Sequence, residues 1–189
     1  MGIKRSIYPL VSLLLANLLL SCATIEHYKI VDQELDVNLR TYPGGTIIKI
    51  TKQKDLPNAF GKADLWGGKV DEGFIELKYF GEVDENKFAL GLKEVSIVSN
   101  ETSMSRYGGS VSTVNITTNK DHLGNYYTTG VVTSIKSPES RTYVLPPDYY
   151  DFVWDLSKGN IFSIEGYSIQ FIHFDQQQLM FQISRENEK

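Results

Sequence analysis

The residues that could perform chemistry in this chain are few and widely spaced. The only cysteine is Cys22, and the three histidines are His27, His122 and His173. A lone cysteine cannot form a disulfide within the chain, and no two histidines have the spacing of zinc ligands. We expect His27 and His122 at the surface. His173 alternates with apolar residues along a candidate strand and is expected to face the core.

Acidic residues cluster at Asp148, Asp151 and Asp155. Their oxygens could bind calcium, but the pattern does not match a calcium loop, and aspartate is common in turns. The sequence also lacks a phosphate-binding glycine loop, a Gly-x-Ser-x-Gly elbow and a Ser-x-x-Lys motif. We therefore predict no metal, no cofactor, no catalytic residue and no enzymatic activity. An envelope hydrolase with a site assembled from distant loops is a further alternative.

The first 22 residues have the organisation of an export signal. Lys4 and Arg5 precede an apolar stretch that is too short for a transmembrane helix. Leu19-Leu20-Ser21-Cys22 then resembles the lipobox of bacterial lipoproteins. The resemblance implies that residues 1–21 are removed and that Cys22 is lipidated, so that acyl chains hold the protein at a membrane. The alternative is an ordinary secretory signal with a chance cysteine.

The residues after Cys22 favour a place in the cell envelope. Ala23 stands where an aspartate resembles an inner-membrane retention signal, so the resemblance implies the outer membrane, facing the periplasm or alternatively the cell surface. Removing Lys4 and Arg5 from 19 basic residues leaves 17 against 23 acidic ones, a formal charge of −6. This balance argues against a nucleic-acid partner. The resemblance covers the signal alone and does not extend to the domain that follows.

Alternating apolar and polar residues predict an all-β fold. Ile75, Leu77 and Tyr79 show the two-residue period of a half-buried strand, and no segment has a convincing helical period. About ten such strands predict one antiparallel sandwich or barrel. We place a short tether at residues 22–33, the β-rich domain at 34–185 and a polar tail at 186–189.

The sequence also makes four predictions about local structure. Pro43-Gly44 predicts a type II turn. The apolar period shifts by one residue after Leu92, which predicts a β-bulge near Lys93-Glu94, with a helix over residues 84–94 as the alternative. Residues 151–184 predict a four-stranded meander. Residues 55–73 predict a long connection with a short helical turn at residues 57–60.

A set of aromatic residues in loop-like stretches and strands is the most suggestive candidate for binding. Aromatic rings on loops can stack on sugars or grip a protein partner, although rings in β-proteins also fill the core. The candidate ligand-binding residues are Trp66, Tyr107, Tyr126, Tyr127, Tyr149, Tyr150 and Trp154.

The sequence therefore favours a membrane-anchored lipoprotein with a non-catalytic binding or scaffold domain. Its expected partner is an envelope protein, recruited through an unpaired strand edge. The alternative is a carbohydrate- or lipid-binding module that uses the aromatic residues.

Overall fold

The computed structural model describes residues 24–120 and 126–186, and it describes Tyr126 and Tyr127 by their backbone. The signal segment, Cys22, His122 and residues 187–189 lie outside the described residues, so the expectations for them stay predictions.

The described residues form twelve strands and one short helix. In chain order these are β1 (His27–Val31), β2 (Asn38–Thr41), β3 (Thr46–Asp55), β4 (Lys69–Asp84), β5 (Lys87–Ser99), α1 (Ser103–Tyr107), β6 (Val111–Lys120), β7 (Tyr126–Ile135), β8 (Thr142–Val144), β9 (Asp148–Asp155), β10 (Ile161–Ile164), β11 (Tyr167–Phe174) and β12 (Leu179–Arg185). The predicted all-β class is confirmed.

The chain divides into two compact units, where the sequence predicted one domain. Among the described residues, the larger unit comprises 26–54, 69–99 and 142–186, and the smaller unit includes 55–68, 100–120 and 126–141. In the sequence, residues 69–99 of the larger unit separate residues 55–68 of the smaller unit from its residues 100–120. Strand periodicity shows which residues are buried but not which segments pack together, so it does not reveal such a division.

The larger unit is a β-sandwich. One sheet has six strands, with the order β1-β3-β4-β5-β8 and β9 also paired to β5, and the other has the order β10-β11-β12-β2. Ile48, Leu77 and Phe88 from the first sheet meet Ile169 and Phe181 from the second in a fully buried core. Of the two architectures that the sequence left open, this unit adopts the sandwich.

Phe88 lies at the centre of an aromatic cluster in that core. Its ring centroid is 5.0 Å from those of Phe171 and Phe174 and 5.8 Å from that of Tyr79. The expectation that His173 faces the core is wrong. A register shift between Phe171 and His173 turns Phe174 inward instead and leaves His173 exposed, because a bulge reverses the alternation that follows it.

The β-bulge predicted near Lys93-Glu94 is also wrong, as is the alternative helix over residues 84–94. β4 and β5 pair without interruption from Gly73↔Ser96 to Tyr79↔Leu90, and the irregularities lie between Tyr79 and Asp84 in β4. The apolar period shifts because Val95 is buried on the outer face of the sheet, opposite Phe74, whereas Leu92 faces the core.

Two boundaries differ from the sequence-based prediction. Within the expected tether, His27–Val31 form β1, which pairs with β3. Val31 packs against the core, and Lys69 Nζ lies 3.4 Å from the centroid of the Tyr28 ring, so this short strand has partners that its sequence alone does not reveal.

The four-stranded meander is reduced to three strands, β10 to β12, because β9 pairs with β5 in the other sheet. The Glu165-Gly166 turn between β10 and β11 has φ values of 53° and 84°. The predicted type II turn is confirmed: Gly44 has a φ of 86°, and Gly45 N–H donates to the Tyr42 carbonyl at 2.8 Å.

Candidate functional site

The strongest candidate for a binding element is the two-stranded ribbon formed by β6 and β7 in the smaller unit. Its strands pair in continuous register from Val111↔Ile135 to Lys120↔Tyr126. Threonine, valine and isoleucine are abundant in both strands, as β-branched side chains favour extended backbone. Within the described part of the chain, neither outer edge of this ribbon pairs with another strand.

Both faces of the ribbon are exposed. Its apolar side chains are between 55% and 69% accessible; they are Val111, Val114, Ile116, Val131, Val132 and Ile135. On one face Val114 lies opposite Val132, and on the other Asn115 lies opposite Val131. The ribbon therefore presents a mixed apolar and hydroxyl surface on each side rather than one face to a core.

The ribbon also lacks the charges that normally protect an edge. Lys120 is the only charged residue in the two ten-residue strands. An isolated two-stranded ribbon is at best marginally stable in water, and a long uncharged edge is a template for another strand. This geometry is suited to the addition of a partner strand.

Two predicted aromatic residues come together elsewhere in the smaller unit. The Trp66 and Tyr107 rings meet edge to face with centroids 5.6 Å apart, and both remain more than half exposed. Tyr107 ends α1, which begins at a Thr102 cap that exchanges hydrogen bonds with Ser105. Sequence analysis missed this helix because five residues are too few to show a period, and its cap uses serine where glutamate or glutamine is usual.

The helical turn predicted at residues 57–60 is wrong, because a loop of a different kind forms there. Residues 57–63 form a tight hairpin in which Pro57 bridges to Ala63, and Asn58 Oδ1 accepts from the Phe60 and Lys62 amides. No helical turn forms at residues 57–60. Phe60 is 88% exposed at the tip of this hairpin.

The three candidate aromatics on β9 have different roles. Trp154 is partly buried, packs against Phe162 and Phe171, and donates from Nε1 to the Gly159 carbonyl at 3.0 Å. Trp154 therefore packs against the core, and its predicted role in ligand binding stays a prediction. Tyr149 and Tyr150 are 63% and 55% exposed and point to opposite faces of the sheet, as neighbours on a strand must. For Tyr126 and Tyr127 only the strand pairing is described.

Tyr149 lines a groove on the outer face of the six-stranded sheet. The groove has a volume of about 270 Å³ and is lined by Gly44, Lys78, Phe80, Gly91, Leu92, Lys93, Tyr149 and Asp151. Sequence analysis did not select Phe80, which was hidden in a regular strand pattern. It reaches the outer face beside a register shift in β4 and is 51% exposed.

A second cleft bears on the hydrolase alternative. It measures about 600 Å³, and its lining is rich in charge: His27, Lys29, Glu165, Gly166, Tyr167, Arg185 and Glu186. The Glu165 carboxylate forms ion pairs with Lys29 Nζ at 2.6 Å and with Lys52 Nζ at 2.9 Å. Hydrogen bonds from Lys29 and Lys52 lower the pKa of Glu165. A general acid needs a raised pKa, so Glu165 is suited to ion pairing rather than to acid catalysis.

This ion-pair cluster predicts a specific pH dependence. Because the folded-state pKa of Glu165 lies below its ordinary value of 4.5, its stabilising contribution is present above that value and is lost as the pH falls through the folded-state pKa. We expect Glu165→Gln to lower the urea midpoint near pH 7 and to have little effect at about pH 3. An equal loss at both pH values would show that the carboxylate charge does not stabilise the fold.

The described residues contain no group of three or more histidine, cysteine, aspartate or glutamate side chains placed to hold a metal ion. Nor do they include a helix with the length and apolar character needed to span a membrane. Comparison with protein-family models, with curated proteins and with solved structures finds no match to this chain. The inference of function therefore rests on the geometry described above.

Proposed function

We propose that this protein is a lipoprotein, held to the outer membrane by acyl chains on Cys22, whose β-domain is a non-catalytic scaffold for another envelope protein. The observation that carries the scaffold proposal is the β6–β7 ribbon, exposed on both faces and unpaired at both edges within the described residues. The membrane anchor rests on the lipobox resemblance of residues 1–22.

Strand addition explains how the ribbon would bind. A third strand would supply main-chain hydrogen bonds along an edge ten residues long, while side chains at alternate positions set the register. Because the edges carry almost no charge, the complementary segment is extended, uncharged and rich in β-branched residues. Side chains of such a segment also pack beside the exposed side chains of Val114 and Ile116 on one face of the ribbon.

Site-specific photo-crosslinking in intact cells tests this proposal. A photoreactive residue at Thr117, in β6, is expected to give one discrete crosslinked product with an envelope protein. The matched control is Gln170, which is also exposed but lies in β11, a strand paired on both sides. We expect no discrete product there. A failure of Thr117 to crosslink, or identical products from both positions, would contradict the proposal.

A charge placed on the ribbon is expected to abolish that product. In Val114→Lys a charged side chain interrupts the nearly uncharged edge strand, so we expect the crosslinking yield to fall by about tenfold or more, because lysine on an edge strand disfavours pairing with another strand. Val114 is 55% exposed in the free protein, so the fold and its far-UV circular dichroism are expected to be unchanged. A product with twice the mass of this chain would replace the heterologous partner by a second copy.

A ligand-binding module is the second candidate function. The observation that favours it is the exposed Tyr149 ring beside the groove on the outer face of the sandwich. In this second candidate, Phe80 joins Tyr149 from the aromatic set predicted from sequence.

A further inference from the structure

The outer-face groove is a shaped site rather than a flat part of the sheet. Gly91 forms its floor, since a Cβ atom there would overlap the edge of the Phe80 ring and lie 2.9 Å from Asp151 Oδ1. The missing side chain lets Phe80 lie across β5. Gly91 pairs with Asp151, and Lys93 pairs with Tyr149 in the same register, so polar and aromatic groups alternate along the groove.

The charges in the groove are balanced. Lys93 Nζ lies 5.6 Å from the centroid of the Tyr149 ring and the same distance from that of Phe74. Lys78 is engaged by Glu76, at 3.6 Å. Lys93 therefore offers a hydrogen-bond donor and Asp151 an acceptor. A strongly anionic ligand would be opposed by Asp151, and a cationic ligand by Lys93.

The size and polarity of the groove narrow the ligand further. At about 270 Å³ it lies below the roughly 300–1,000 Å³ of sites for drug-sized ligands, so it accommodates a single ring. Three charged side chains in its lining disfavour an acyl chain, because they would lose hydration without gaining partners. A neutral ring with hydroxyl groups satisfies both features: its edges bond to Lys93 and Asp151, and its apolar face packs on an aromatic ring.

We propose that this groove binds one neutral sugar ring of a glycan, with Tyr149 and Phe80 as the packing surfaces and Lys93 and Asp151 as the hydrogen-bonding groups. The site belongs to the larger unit and uses no residue of the β6–β7 ribbon. A test of sugar binding is therefore independent of a test of the scaffold proposal.

Nuclear magnetic resonance titration of the purified chain, with Cys22→Ser to prevent lipidation, tests the proposal. The probes are three short oligosaccharides: neutral N-acetylglucosamine trimer, cationic glucosamine trimer and an anionic hyaluronan fragment. At millimolar concentrations we expect the neutral trimer to shift the amides of Gly91, Lys93 and Asp151, with weaker responses to the charged probes. No shift at these amides with any probe, or tighter binding of a charged probe, would overturn the proposal.

Two neighbouring tyrosines provide a matched pair of variants. Tyr149→Ala removes the ring beside the groove, and we expect about tenfold weaker binding of the neutral trimer. Tyr150→Ala removes a similarly exposed ring that points to the opposite face of β9, and we expect unchanged binding. Both side chains are exposed, so neither variant is expected to unfold the domain. Equal weakening in both variants would contradict the assignment of the site.

Discussion

Replacement of Phe88 by alanine is expected to lower the free energy of unfolding by about 3–5 kcal/mol. Phe88 is fully buried and contacts Tyr79, Phe171 and Phe174 through its ring. These neighbours come from both sheets of the sandwich, so the cavity left by the ring cannot close without moving one sheet. Since single domains are stable by about 5–15 kcal/mol, the variant loses a large part of that stability. Urea unfolding, followed by far-UV circular dichroism, measures the change.

Phe80→Ala is the matched control for Phe88→Ala. Phe80 is also a phenylalanine of the β4–β5 hairpin, but its ring is 51% exposed on the outer face. We expect a loss of about 1 kcal/mol or less, because little of the ring leaves a packed environment. Equal losses in the two variants would mean that Phe88 is not the centre of the core.

Gly73→Ala is expected to have the second large effect. Gly73 has a φ of 120°, and a Cβ atom there would overlap the Val95 carbonyl oxygen and lie 3.0 Å from the Ser96 Cα atom. Both obstacles are backbone, which cannot rotate away as a flexible side chain can. We expect a loss of about 3–5 kcal/mol, measured by urea unfolding, because β4 must separate from β5 to admit one methyl group.

Gly44→Ala separates the two contributions to that loss. Gly44 also has a positive φ, of 86°, but no atom lies within 4 Å of the position that a Cβ atom would occupy there. This variant incurs only the backbone strain, for which we expect about 1–2 kcal/mol. If Gly73→Ala costs no more than Gly44→Ala, the close approach between β4 and β5 is absent in solution.

The all-β class could be predicted from sequence because it depends on local periodicity. Ile75, Leu77 and Tyr79 alternate with polar residues, and all three are buried on one face of β4. The Pro43-Gly44 turn was predictable for a similar reason, since its backbone geometry is dictated by its own residues.

The failures share a different cause, which is that they depend on contacts between distant segments. Val95 led to the prediction of a bulge because sequence cannot show that the outer face is also partly apolar at that point. His173 was expected to face the core because it continues the alternation of Ile169 and Phe171. The bulge that reverses this alternation arises from pairing with β12, which the sequence does not show. β9 was assigned to the wrong sheet because its alternation is the same in either sheet.

The same distinction between local and long-range information applies to the candidate sites. Tyr149 was found because an aromatic residue is itself a signal in the sequence, whereas Gly91 and Phe80 become significant only when β4, β5 and β9 lie side by side. The sequence predicts strands at residues 111–118 and 126–136, where the ribbon forms, but it does not predict their exposure on both faces. Strands with a similar pattern of apolar and polar residues can lie against a core or remain uncovered. A single sequence does not show which of these occurs.

Hydrogen exchange of the β6–β7 ribbon tests the scaffold proposal most directly. In an antiparallel ribbon about half of the amides of each strand point outward and have no ladder partner. We predict that, at the edge where the partner strand binds, these amides exchange fast in the purified protein and slowly in native membranes. Amides of β11, which is paired on both sides, should be protected equally in both preparations. Outward amides that exchange equally fast at both edges in native membranes would contradict the proposal that the ribbon recruits a partner.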